Sequence, residues 1–214
     1  MPNRRQFLSL GVMLMPTLAV AQEQSVLQLP APQAPRETLL IDALKLRKSS
    51  REFSDRRVPP PLLSSLLWAA FGINRPDSGK RTAPSAHDWQ EIDIYAVLAE
   101  GVFRYDAAGH RLQRTVSGDL RALTGIQDFV ARAPLNLVYV ANFSRMADAS
   151  AEERTFFVAA DAGCVAQNVY LFCAAEGLAT VVRGLVDRKA LAPAMGLRTD
   201  QRIVLAQTVG YPAT

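Results

Sequence analysis

With 214 residues, 24 Lys and Arg against 20 Asp and Glu, the chain carries a formal charge of +4. The charges are interspersed and no basic block marks a nucleic-acid surface, so no nucleic-acid partner is expected. His87 and His110 lie in unlike contexts without a Cys or carboxylate cluster, so no metal site is expected either.

At the N-terminus, Arg4 and Arg5 precede an apolar stretch over residues 7–18 and a small-residue site at 19–21. These are the three parts of an export signal. The apolar stretch falls short of the roughly twenty residues a membrane span needs, and Pro16 interrupts it. The Arg-Arg-x-Phe-Leu arrangement resembles a twin-arginine leader, which delivers proteins already folded. Residues 1–21 are therefore read as a signal peptide, the destination as the periplasm, and the mature charge as +2, since both arginines leave with the leader. No other segment is expected to cross a membrane. Residues 22–36, rich in Pro and Gln, read as an extended linker to a single domain over 37–214.

Within that domain a first helix is predicted in "RETLLIDALKLRK", with Leu39, Leu40, Ala43, Leu44 and Leu46 on one side. A second begins at the prolines of "VPPPLLSSLLWAAFGIN" and stops at Gly72. A long polar loop follows, then a strand pair or short meander over 91–112, and two short helices near "GDLRALTG" and "IQDFVAR". "APLNLVYVANF" reads as an apolar strand. The longest helix is "AEERTFFVAADAGCVAQNVYLFCAAEG", with Glu152 and Glu153 favourably placed in its first turn and Gly177 ending it. Its apolar or small character on nearly all sides marks a helix covered from several directions. Cys164 and Cys173 would lie on opposite faces of it, about 13 Å apart along the axis, too far for a disulfide. "ATVVRG", "DRKALAPAMGL" and a last strand "QRIVLAQTVGY" close the chain, and the irregular mixture of helices with hairpins favours an α+β fold.

Several chemistries drop out. There is no G-x-S-x-G elbow and no G-x-G-x-x-G turn, and Gly79-Lys80 is followed by Arg81 at the wrong distance from Gly72 for a phosphate loop. Three stretches remain. "RKSSREF" (47–53) gathers guanidinium, ammonium and hydroxyl groups suited to a phosphate, with Arg47 and Arg51 on one side if the helical turn continues. "RTAPSAHDWQE" (81–91) offers small residues that let a flat ligand approach the backbone, with Asp88 and Gln90 as polar edges. "AAEGLATVVRGLVD" (174–187) bends at Arg183-Gly184, where glycine lets an amide face a ligand. Singly, each also fits a solvated helix end, a polar loop or a helix connection.

Taken in order, with "LLWAAFGINRPDSGKRTAPSAHDWQ", "GCVAQNVYLFCAAEGLATVVRG" and the final "VGYP", these stretches resemble the FMN-dependent nitroreductase family, in particular its branch related to azoline-oxidising dehydrogenases. The resemblance implies a central, mostly antiparallel sheet flanked by helices, an intertwined homodimer, and FMN at the interface. It implies that Arg47, Lys48, Ser49 and Arg51 meet the phosphate. It places Pro84, Ser85 and Ala86 of the partner beside the ring, Gln90 at its polar edge, and Arg183 and Gly184 against it, with the Gly184 amide toward its reactive nitrogen side. The long helix around Gln167 and Asn168 would form the dimer core. Family members carry basic residues after Gly-Tyr-Pro; none follows Pro212 in this sequence, which leaves the phosphate to the Arg47 cluster with Arg81 as a further cation. No side chain is required as nucleophile or general base, because the flavin carries the chemistry. The implied activity is ping-pong transfer through FMN to or from a small flat organic substrate, with NAD(P)H or a redox partner as donor. The alternative is a non-catalytic flavin- or ligand-binding protein on the same fold.

Overall fold

A computed structural model describes residues 25–33 and 36–213; the expected leader lies outside them. In chain order the elements are β1 Val26–Gln28, α1 Leu40–Leu46, α2 Pro60–Phe71, β2 Ile73–Arg75, β3 Lys80–Arg81, β4 Ile92–Leu98, β5 Gly101–Asp106 and β6 Arg111–Ser117. They continue with β7 Leu135–Asn142, α3 Ala151–Glu176, β8 Ala179–Arg183, α4 Arg188–Ala194 and β9 Gln201–Gly210. Single 3₁₀ turns at Arg121–Thr124 and Asp128–Ala131 stand where two short helices were expected.

Seven strands form one sheet in the order β1-β6-β5-β4-β7-β9-β8, and every pairing is antiparallel. This is the expected α+β architecture. β7 is buried along its whole length, which explains why it reads as a continuous apolar run. One sheet face carries α2 and α3, through Leu66, Leu67, Ala70, Val165 and Val169; the other carries α4 through Leu191 and Met195. Within the stretch read as a linker, Val26–Gln28 pairs with β6, so this part is fastened to the sheet edge.

Sequence sets the ends of α3. Ser150 accepts from the Glu153 N–H at 3.2 Å while the Glu153 carboxylate takes the Ser150 N–H at 2.8 Å, a reciprocal cap. Gly177 ends the helix at φ 71°, a conformation glycine adopts without steric cost. Although α3 has the length and apolarity of a membrane span, its Val158–Cys173 side lies in the core against the sheet. Both cysteines are free, Cys173 buried and Cys164 half-buried.

α1 is shorter than the stretch 36–48 in which a helix was expected, spanning Leu40–Leu46. Only Ala43 is buried, and Leu39, Leu40, Ile41, Leu44 and Leu46 are 46–69 % exposed. The helix is two turns long and lies on α3 through its smallest apolar residue, which leaves the leucines outward. Along α3, Phe156, Ala159, Ala160, Gly163 and Gln167 are exposed as well. Both helices thus leave apolar or small side chains exposed.

Candidate active site

Two clusters of expected site residues dock on α3. The first forms where the chain leaves α1. The helix does not continue past Leu46, because Arg47 takes an extended backbone at φ −57°, ψ 119°. Arg47 and Arg51 therefore do not share a helical side. The 49–54 segment passes instead from the edge of β8 to the end of β9: the Ser50 N–H donates to the Thr180 carbonyl at 2.9 Å, and the Ser54 N–H to the Tyr211 carbonyl at 2.9 Å.

Tyr170 of α3 ties this segment to the strand. Its hydroxyl bonds Ser49 Oγ at 2.8 Å and accepts the Val182 N–H at 3.0 Å, while the Arg47 guanidinium lies 5.3 Å from its ring centre. Alternate N–H groups of an edge strand point away from its neighbour. Gly184 follows two residues beyond Val182, just past the end of β8, where the chain turns and the Val186 N–H donates to the Gly184 carbonyl at 3.1 Å. A Cβ at Gly184 would meet nothing within 4 Å, so the backbone there is bare. A cleft of about 370 Å³ opens beside Lys48, Ser50, Tyr170 and Thr180, and no carboxylate lines it. Arg51 is separate, lining another cleft with Phe53, Phe129 and Ala213.

Arg183 is placed differently from the expectation. Its guanidinium is buried on the other face of β8, donating to Thr208 Oγ1 at 3.1 Å, the Thr124 carbonyl at 2.8 Å and Asn136 Oδ1 at 3.1 Å. Burial without a carboxylate lowers its pKa to about 10. Strand alternation turns the Arg183 side chain inward. The guanidinium thus lies within the sheet and does not reach the open edge of β8.

The second cluster is the loop 84–90. His87, Asp88 and Gln90 have φ of 50°, 57° and 48°, a left-handed region that non-glycine residues enter only when surroundings hold them there. Here the holders are visible. The Ala86 N–H donates to Asp161 Oδ2 at 2.9 Å, Ser85 Oγ takes the Gln90 N–H at 2.8 Å and donates to Glu91 Oε2 at 3.2 Å. Arg81 grips Gln90 Oε1 at 2.7 Å, and Arg145 bonds the Gln90 carbonyl at 2.7 Å and Asp93 at 2.9 Å. The expected further phosphate cation, Arg81, thus belongs to this loop and does not join Arg47.

Glu91 is fully buried beneath the loop, with Asp161 beside it, and its Oε1 receives no donor among the described residues. Desolvation first, with repulsion from Asp161 added, raises its pKa from an ordinary 4.5 to about 7. A carboxyl whose pKa is raised on folding stabilises the folded state least where it must ionise. Stability is therefore expected to fall as pH rises from about 4.5 through 7 and then to level off. In Glu91→Gln the amide oxygen keeps the Ser85 bond without the charge. Thermal melts at pH 5 and 8 should show the wild-type slope flattened and the variant more stable at pH 8; an unchanged slope would contradict the assignment.

Asp161 and Tyr170 anchor the two clusters nine residues apart on one helix. At about 100° per residue they emerge on opposite faces, about 13 Å apart along the axis. Cations and a hydroxyl beside a bare backbone edge suit a phosphate joined to a flat ring, so the residues of the first cluster fit a flavin nucleotide. The small residues of the second suit the far side of such a ring. Tyr170 and the Glu91–Asp161 pair were missed by sequence reasoning; a lone hydroxyl and a lone acid inside an otherwise apolar or small helix were the available signals.

The fold is thus an antiparallel sheet whose long helix carries one cluster on each of two faces. A family model described as the nitroreductase family matches residues 44–211, and the chain belongs to that family, whose members are flavin-dependent oxidoreductases. A candidate nitroreductase of Methanocaldococcus jannaschii is 34 % identical over 158 residues, 69 % of this chain and 79 % of that protein. The crystal structure of a candidate nitroreductase from Ralstonia eutropha JMP134 is 45 % identical, with TM-score 0.86, covering 95 % of this chain and 97 % of the other. At 20 % identity and TM-score 0.62, an NADPH:FMN oxidoreductase from Vibrio harveyi, solved with NAD+, shares the fold over 82 % of this chain and 69 % of its own.

Proposed function

We propose that the chain is an FMN-dependent oxidoreductase that works as a homodimer and passes a hydride or electrons to or from a small flat organic molecule. The observation that supports this reading most is that Tyr170 ties the Arg47–Ser49 segment to the edge of β8 at Val182, two residues before Gly184. The placement of the 84–90 loop on the opposite face of α3 adds the second protomer. The exposed leucines of α1 and the small residues of α3 supply the apolar surface such a dimer would bury.

Bound FMN would supply the redox chemistry. Arg47, Lys48 and Ser49 would hold its phosphate by charge-assisted hydrogen bonds. The Gly184 N–H would donate to the ring edge, and Pro84, Ser85 and Ala86 of the second protomer would cover it and exclude water, with Gln90 at the polar rim. NAD(P)H or a redox partner would deliver the electrons.

Export belongs to the same proposal. A cofactor held without a covalent bond between two chains must be loaded where it is made, and a loaded dimer needs a route that carries folded proteins. Replacing Arg4 and Arg5 by Lys should retain the protein in the cytoplasm; unchanged export would remove this part.

The test of function is the visible spectrum of the purified protein. A flavin spectrum that dithionite bleaches and air restores, with FMN released on denaturation, is expected. A colourless protein that takes up no FMN would overturn the reading. A flavin that is bound but reduced by no pyridine nucleotide and reoxidised by no acceptor would favour the non-catalytic alternative.

A further inference from the structure

We propose that the cleft between the β2–β3 hairpin and the 84–90 loop is an anion subsite that selects flat substrates carrying a carboxylate. The proposal rests on the flavin reading, since Pro84 and Ser85 line this cleft and would border the ring.

The cleft holds about 640 Å³, with Arg75, Lys80 and Arg81 on the hairpin side and Ser85, Asp88 and Gln90 on the loop side. Its single carboxylate, Asp88, is turned to the loop, its Oδ1 accepting from Gln90 Nε2 at 3.0 Å. None of the three cations pairs with an acid among the described residues. Arg75 donates from Nε to Asn74 Oδ1 at 3.1 Å and from Nη2 to the Arg81 carbonyl at 2.6 Å. Arg81 donates from Nε to Gln90 Oε1 at 2.7 Å and from Nη1 to the Phe71 carbonyl at 3.0 Å. Every acceptor here is neutral. Lys80 makes no hydrogen bond or ion pair among the described residues, and Asp77 in the hairpin turn does not reach it.

Most cationic surface faces are balanced by carboxylates or spread into open water. This one is concave and concentrated, and no acid makes an ion pair with its cations among the described residues. The guanidinium of Arg81 is fixed by two hydrogen bonds and still has Nη2 to offer, so little side-chain entropy remains to be lost when an oxyanion arrives. Burial, with Arg145 adding repulsion, lowers its pKa against the weaker attraction of Asp93 and Asp106. A flat ring stacked beside Pro84 and Ser85 would point a carboxylate substituent toward Arg75 and Lys80. The phosphate of the flavin that this loop borders would lie with the partner's Arg47, at the other end of the cofactor.

The experiment compares FMN-loaded wild type with Arg75→Ala/Lys80→Ala, using 4-nitrobenzoate and the neutral 4-nitrobenzyl alcohol with NADPH, together with binding of non-reducible benzoate followed in the flavin spectrum. Losing charge-assisted contacts at a half-open site should raise KM for the nitrobenzoate about tenfold and weaken benzoate alike, while the alcohol changes less than about twofold. Equal losses for both substrates, or unchanged benzoate binding, would overturn the subsite. A variant that loses FMN affinity but keeps riboflavin affinity would assign the cations to the cofactor's phosphate and also overturn it. Should wild type bind no flavin, the functional reading fails by itself. Calorimetry of benzoate with the flavin-free protein then decides the cleft separately: binding weakened in the variant supports it, and no binding in wild type rejects it.

Discussion

Arg183→Ala is expected to cost about 3–4 kcal/mol of folding stability, read as a lower denaturation midpoint. The guanidinium joins β8 to the Arg121–Thr124 turn, β7 and β9 at once, through Thr124, Asn136 and Thr208. Its removal leaves the Thr124 carbonyl without this donor and opens a void in the space that Gly125 keeps clear; a Cβ at Gly125 would collide with the Arg183 guanidinium. Relief of the desolvation of an unpaired cation offsets part of the loss. Arg183→Met fills the void and loses the charge, so it should cost about half as much as alanine. If alanine proved neutral, Arg183 would not be the pin that the hydrogen bonds describe.

The second large effect concerns the cofactor. Arg47→Ala is expected to weaken FMN binding by about 10–100-fold while leaving riboflavin, which lacks the phosphate, nearly unchanged. Titration by flavin fluorescence reads both. Equal losses for the two flavins would mean that Arg47 acts by packing on Tyr170, 5.3 Å away, and not by holding a phosphate.

Much of the fold was legible because its signals are local. The proline start and Gly72 stop of α2, the Ser150 cap and Gly177 stop of α3, and the apolar run of β7 follow from short-range chemistry. Burial was less legible. The leucines of α1 have the pattern of a core face and point outward, since an apolar residue reads the same whether it covers its own core or another molecule. The site was legible as a set of stretches but not as side-chain directions. Gly184 was identified for its amide and has open space where a Cβ would stand, whereas its neighbour Arg183 turns inward, a direction fixed only once β8 pairs with β9. Arg51 and Arg81 were grouped with Arg47 by charge, yet each faces a cleft of its own.

That one binding site is built from two chains can be tested by mixing. Arg47→Ala/Ser49→Ala removes the phosphate grip, and Ala86→Trp blocks the loop; each variant, checked for folding by circular dichroism, should lose FMN by itself. A mixed dimer would contain one doubly damaged site and one intact site. Refolding the two variants together should therefore restore FMN to about a quarter of all sites. No recovery in the mixture, as a site confined to one chain requires, would contradict it.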